Sequence, residues 1–158
     1  MIKLEKPDID VESIITDCTA NLTKQPILTH INASKTTIVS KSEKYNELAE
    51  KGQLGTLETH TMIEGGATKD DMVWLYDNKF VADGGRKYYD KIKAIPKYSK
   101  CPFCGVGIVS TLDHYLPKTK YPTYALTPVN LIACCADCNK NKKSEISETR
   151  NNEFIHPY

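Results

Sequence analysis

Six cysteines carry most of the chemical information in this 158-residue chain, and five of them, Cys101, Cys104, Cys134, Cys135 and Cys138, fall within 38 residues. Cys101-Pro-Phe-Cys104-Gly105 has the form of a metal knuckle, in which backbone amides turn toward the sulfurs and a glycine relieves the tight turn. Cys135-Ala-Asp-Cys138 is the matching half. Two Cys-x-x-Cys pairs without a secreted disulfide spacing read as a four-thiolate Zn²⁺ site, because reducing compartments keep thiols free and Zn²⁺ prefers four soft ligands in a tetrahedron. Cys134 competes with Cys135 for the third ligand position. The two-residue spacing to Cys138 favours Cys135 and leaves Cys134 as a small buried hydrophobe. The 30 residues between the pairs exceed the roughly 15–20 of a zinc ribbon, so something functional is expected there. The insert includes Asp113-His114. A histidine, with an ordinary pKa near ~6.5, is suited to take a proton from water, and a carboxylate beside it suits a hard divalent cation.

Across residues 101–143, Cys101, Cys104, Asp113, His114, Pro117, Asn130, Cys135, Cys138 and Asn139 follow one another in the order and near the spacing of the HNH nucleases. The stretch resembles the ββα-metal class of those enzymes, in the subgroup with a structural four-cysteine zinc. The resemblance covers 43 of the 158 residues. It implies a metal-dependent endonuclease that hydrolyses phosphodiester bonds in DNA, with RNA as a less expected substrate, and with Mg²⁺ or Mn²⁺ as the catalytic ion. It implies His114 as the general base, Asp113 and Asn139 as ligands of the catalytic ion, and Asn130 as a brace that orients the histidine. Lys142 and Lys143, one turn beyond Asn139, would contact a phosphate; Lys118 and Lys120 are weaker candidates. Adjacent strand residues point to opposite sides, so Asp113 and His114 are expected at a distorted strand end. Two further readings stand beside this one: a zinc-dependent nucleic-acid binding module with a silent centre, and a toxin, restriction-type or phage-defence nuclease controlled by a companion ATPase.

The elements that must position these residues give an α+β architecture: a helical N-terminal region over 1–97, then a zinc-stabilised ββα-metal (HNH) module over 98–158. Val11, Ile14, Ile15, Cys18 and Leu22 recur at helical spacing behind Asp8 and Asp10, which makes Cys18 a core residue. Residues 26–51 read as one helix or two, because Thr36, Thr37 and Ser40 weaken the middle and Gly52 supplies a stop. Residues 52–67 read as loop. Thr68 and Asp71 form a capping-box variant ahead of Met72, Val73, Leu75 and Tyr76, with Gly84-Gly85 breaking that helix. A helix over 86–94 should place Tyr88 and Ile92 on one side. Strands are expected near 108–113 and 131–134, and a helix over 137–147.

Charge is split along the chain. Residues 1–78 hold 8 basic and 13 acidic side chains, net −5, and residues 79–158 hold 13 and 7, net +6. The excess is densest at Lys79, Arg86, Lys87, Lys91, Lys93, Lys97 and Lys100, a stretch that could follow a phosphate backbone or form a solvated helix face. With 40% hydrophobic residues, disorder throughout is excluded. No apolar run approaches the ~18 residues of a membrane span and the start has no signal-peptide core, so a cytoplasmic protein with no membrane partner is expected. His30 and His60 lie outside ligand spacing and read as structural or exposed. The apolar end, Phe154-Ile-His-Pro-Tyr158, suggests a shortened chain or a segment docked on the domain, with His156 a minor candidate for the active site.

Overall fold

The computed structural model describes residues 2–142 and 156–158. Lys143, the remainder of the expected 137–147 helix, Phe154 and Ile155 lie outside the described residues.

Helix α1 (Val11–Thr19) starts where Asp10 accepts the Ser13 amide at 2.9 Å, and it buries Val11, Ile14, Ile15 and Cys18. Helix α2 (Ile27–Glu50) is continuous. Its weak middle holds because Ile31, Ser34, Ile38, Ser42 and Tyr45 keep a buried stripe at spacings of three and four. The two serines in that stripe have partners from other segments: Ser34 Oγ accepts the Ala67 amide at 3.0 Å, and Ser42 Oγ lies 2.6 Å from Thr127 Oγ1. Tertiary packing therefore overrides a modest local preference.

The Thr68–Asp71 capping box opens α3 (Lys69–Leu75). The chain then winds directly into a π-helical turn, Tyr76–Phe80, well before the glycines expected to end it. Gly85 has a different use: a Cβ there would lie 2.6 Å from Phe80 Cα and 2.8 Å from Cys18 Sγ. The start of α4 (Arg86–Lys93) can therefore approach α1 only through a bare backbone. On α4 the fully inward aromatic is Tyr89, together with Ile92. Tyr88, expected there, is half-buried and donates its hydroxyl to Asp17 at 2.6 Å.

Strand β1 (Thr111–His114) pairs antiparallel with β2 (Leu131–Cys134), from Thr111 opposite Cys134 to His114 opposite Leu131. The first strand begins three residues later than the sequence suggests, since Ile108 makes only an isolated bridge to Lys100 and stays exposed. All four residues of β2 are buried, with α4 packed on the sheet. Helix α5 (Ala136–Lys142) follows at once and packs against β1. The result is a mixed helical structure with a small two-stranded sheet, the α+β class.

One apolar cluster joins Ile14, Ile31, Met72, Phe80 and Ile92 to Leu112, Leu126, Leu131 and Ala133, so the core crosses position 97. A second gathers Tyr45, Leu54, Leu116, Tyr121, Tyr124 and Val129. Among the described residues, no helix is long and apolar enough to cross a membrane. The basic stretch is largely neutralised on the spot: Lys79 pairs with Asp83, Arg86 and Lys93 with Asp90, and Lys87 with Asp17.

Candidate functional site

The Sγ atoms of Cys101, Cys104, Cys135 and Cys138 all lie within 4.8 Å of one another, an arrangement able to hold a metal ion. Cys104 and Cys135 are 4.0 Å apart. Cys134 stays outside the cluster's ligand set: it is a fully buried β2 residue whose carbonyl accepts the Ser110 amide at 3.0 Å. The first knuckle is held by Cys101 N–H to Gly107 O at 2.8 Å, by Gly105 N–H to Cys101 O at 2.8 Å, and by Gly107 N–H to Cys104 Sγ at 3.2 Å. The amides of Gly107 and Val106 pull the Cys104 thiol down to about 6. Burial and hydrogen bonds with the neighbouring sulfurs push Cys138 up, so four thiolates can share this space only with a compensating cation.

Gly107 escaped the sequence reading, although Cys-x-x-Cys-Gly-x-Gly was there to be seen. A Cβ at Gly107 would lie 2.8 Å from both Cβ and Sγ of Cys135. Gly107→Ala is therefore expected to cost about 1–3 kcal/mol by overpacking and to speed metal loss to a chelator. Thermal denaturation and the chelator rate check this; unchanged values would mean the knuckle relaxes freely.

His114 ends β1 and is 8% exposed. Its Nε2 lies 3.0 Å from the carbonyl of Ala125, which can only accept, so Nε2 carries a proton. That leaves Nδ1 as the ring nitrogen able to accept a proton. The Tyr76 ring packs edge-on against the imidazole, with centroids 4.5 Å apart. Lys118 Nζ sits 4.2 Å from the centre of the Tyr76 ring and pairs with Asp77. The π turn after α3 thus brings Tyr76 to His114 and Asp77 to Lys118. Asp113, half-buried and opposite Ile132, is near enough that its charge adds to burial in pushing the Tyr76 phenol up. The ladder is regular through His114, so the bend falls just after it, where the Tyr115 amide donates to Asn130 O and the Leu116 amide to Asn130 Oδ1, both at 2.8 Å.

Asn130 is fully buried, and its side chain is saturated with partners. Oδ1 accepts from Tyr45 Oη at 2.9 Å as well as from Leu116; Nδ2 donates to the carbonyls of Leu116 at 3.1 Å and Tyr124 at 2.9 Å. Tyr124 immediately precedes Ala125, the acceptor for His114, so Asn130 fixes the loop that orients the imidazole. His60 supports the same loop: Nε2 lies 2.6 Å from Thr123 Oγ1, and its amide donates to Lys120 O at 3.0 Å. Asn130→Ala strands several buried groups at about 1–3 kcal/mol each. An overall loss of about 3 kcal/mol or more is expected in urea unfolding; a loss under ~1 kcal/mol would show that the loop holds without the amide.

Asn139 is half-buried in α5, and its amide donates to Cys135 O at 3.1 Å. Helix α5, which carries Asn139, packs on β1, which carries Asp113. Lys142 closes the described part of α5, while Lys143 lies outside the described residues. Lys120 is exposed. His30 pairs with Asp71 at 2.8 Å. His156 stacks beside Tyr115 with centroids 4.5 Å apart, Tyr158 Oη donates to Leu131 O at 2.9 Å, and Leu4 N–H donates to Pro157 O at 2.7 Å. Residues 156–158 therefore dock beside the loop that follows β1.

The chain is 30% identical over 168 residues to Protein ea31 of Escherichia phage lambda, an alignment that spans all of this chain and 56% of the phage protein. The chain thus covers little more than half the length of that relative. It matches no protein-family profile. No solved structure matches it.

Proposed function

We propose that the chain is a metal-dependent HNH endonuclease that hydrolyses phosphodiester bonds in DNA, with a structural zinc at Cys101, Cys104, Cys135 and Cys138. The observation that carries this reading is the hydrogen bond from His114 Nε2 to Ala125 O, in a strand–strand–helix unit that also carries Asp113 on β1 and Asn139 on α5. Donation from Nε2 to Ala125 O leaves Nδ1 as the ring nitrogen that can take up a proton. A general base needs such a nitrogen, because its lone pair must point at the attacking water.

Four thiolates around Zn²⁺ at about 2.3 Å place sulfurs roughly 3.8 Å apart, close to the 4.0 Å between Cys104 and Cys135. A site closed by four cysteines leaves no position for water, so the zinc organises the fold and takes no part in the reaction. Asp113 and Asn139 offer a carboxylate and an amide oxygen, a hard donor pair that fits Mg²⁺ or Mn²⁺. The bound cation would stabilise charge on the phosphorane and on the departing 3′ oxygen. His114 Nδ1 takes the proton of the attacking water while Nε2–H stays on Ala125, and Tyr76 limits rotation of the ring. Lys120, Lys142 and Lys143 supply positive charge for the flanking phosphates, whereas the charge of Lys118 is already matched by Asp77.

The ligand assignment is tested by titrating Mg²⁺ into a plasmid-cleavage assay. Asp113→Asn keeps the shape and removes the charge, and it is expected to raise the Mg²⁺ requirement at least about tenfold, an effect the size of a lost charged partner. An unchanged Mg²⁺ dependence would remove Asp113 from the site.

A further inference from the structure

Five large hydrophobic residues are exposed among the described residues, and four of them gather around the first cysteine knuckle: Tyr98 at 91%, Val106 at 75%, Ile108 at 59% and Ile2 at 46%. They are linked in space. Ile2 N–H donates to Pro102 O at 2.9 Å, Ile108 bridges Lys100, and Lys100 Nζ donates to Val106 O at 3.1 Å. Ile2, Tyr98 and Gly105 line one groove with Lys3, Lys97 and Lys100. A patch of this kind marks a surface that meets something.

Tyr98 and Ser99 are the two non-glycine residues with positive φ among the described residues, at 56° and 53°. Left-handed backbone is unfavourable for tyrosine. Here it holds an aromatic ring out in water, where packing gives it no return, and such strain concentrates at functional sites. Charge decides what the ring meets. Lys79, Arg86, Lys87 and Lys93 of the basic stretch are paired with carboxylates. Lys3, Lys97 and Lys100 have no carboxylate partner among the described residues, and Glu5 is the groove's one carboxylate. Unpaired cations around an aromatic ring complement a polyanion with planar rings. Such rings are available for stacking only where bases are not already stacked in a duplex.

We propose that Tyr98, framed by Lys3, Lys97 and Lys100, is a stacking platform for unpaired bases of a single-stranded nucleic acid. This deepens the nuclease reading, on which the choice of a nucleic-acid partner partly rests, by giving the substrate a single-stranded portion that lies on the cysteine knuckle.

The test is fluorescence anisotropy of a labelled oligothymidylate of about 15 nucleotides, within the usual span of a stacking groove. It uses the zinc-loaded His114→Ala protein without added divalent ion, so that binding is read independently of cleavage. Tyr98→Ala should weaken binding roughly 5- to 150-fold, the range for one lost base–aromatic stack; Tyr98→Phe should retain it, and Lys97→Ala should lower the salt slope by about 0.7. Tyr98→Gly should melt no lower than Tyr98, because glycine accepts φ of 56° without strain, yet bind as poorly as Tyr98→Ala. Equal affinity of Tyr98→Ala and the parent protein would overturn the platform, as would absence of oligonucleotide binding. Self-association in sedimentation that Tyr98→Ala abolishes would also overturn it, and would make the patch a protein interface. A chain that binds the oligonucleotide through Tyr98 yet cuts nothing would sink the nuclease reading and leave the platform standing.

Discussion

Cys135→Ser is expected to abolish zinc binding and with it the folded form of the knuckle, the end of β2 and α5, whereas Cys134→Ser keeps both. The two residues are neighbours and both are buried, so burial alone does not separate them. The difference lies in the sulfur cluster: Cys135 is within 4.0 Å of Cys104 and belongs to the group of four, while Cys134 is held in the strand ladder opposite Thr111. A structural zinc contributes about 10–16 kcal/mol of apparent binding free energy, as large as the ~5–15 kcal/mol that stabilises an ordinary domain. Its loss cannot be absorbed by the small cluster of Cys101, Cys134 and Cys135 around it. Cys101→Ser and Cys138→Ser should behave like Cys135→Ser. Zinc content measured alongside circular dichroism checks this; a well-folded, zinc-free Cys135→Ser protein, or zinc loss from Cys134→Ser, would contradict the four-cysteine assignment.

His114→Ala is expected to lower the single-turnover cleavage rate by about 10²–10⁴, the usual effect of removing a general base, with zinc retained. The structure makes the substitution informative because the imidazole is held from two sides, by Ala125 O at 3.0 Å and by the Tyr76 ring at 4.5 Å. Truncation leaves a small cavity beside Tyr76 and one carbonyl without its donor, a stability loss on the order of 1–3 kcal/mol that a zinc-bound fold can survive. A structural role would reduce melting temperature and rate together; a base reduces the rate at a temperature where the variant is fully folded. Rates within about threefold of wild type under those conditions would mean that another group takes the proton.

The parts of this site that were legible in the sequence are the parts whose chemistry is local. Cys101, Cys104, Cys135 and Cys138 announce themselves by spacing, the Thr68–Asp71 cap by three-residue separation, and α1 by its periodic apolar residues. What was illegible depends on distant partners. The continuity of α2 rests on Ser34 meeting Ala67 and Ser42 meeting Thr127, and the brace at Asn130 on Tyr45, 85 residues away. His60, which spacing marks as structural or exposed, is structural, and its partner Thr123 lies 63 residues away. Strand β1 starts late because Ile108 faces solvent at the knuckle instead of continuing the ladder, and the inward turn of Tyr89 in place of Tyr88 reflects two spacings, three and four, that a helix accepts equally. The π turn at Tyr76–Phe80, which brings the helical region to His114, left no local signature.

The most direct test is cleavage of supercoiled plasmid and of single-stranded DNA by the purified chain, with Mg²⁺, with Mn²⁺ and with no divalent ion, beside His114→Ala carrying stoichiometric zinc. Cation-dependent cleavage by the wild-type chain, lost in His114→Ala, is the predicted result. No cleavage by either protein while both hold zinc, or equal cleavage by both, would contradict the assignment of this centre as a metal-dependent nuclease.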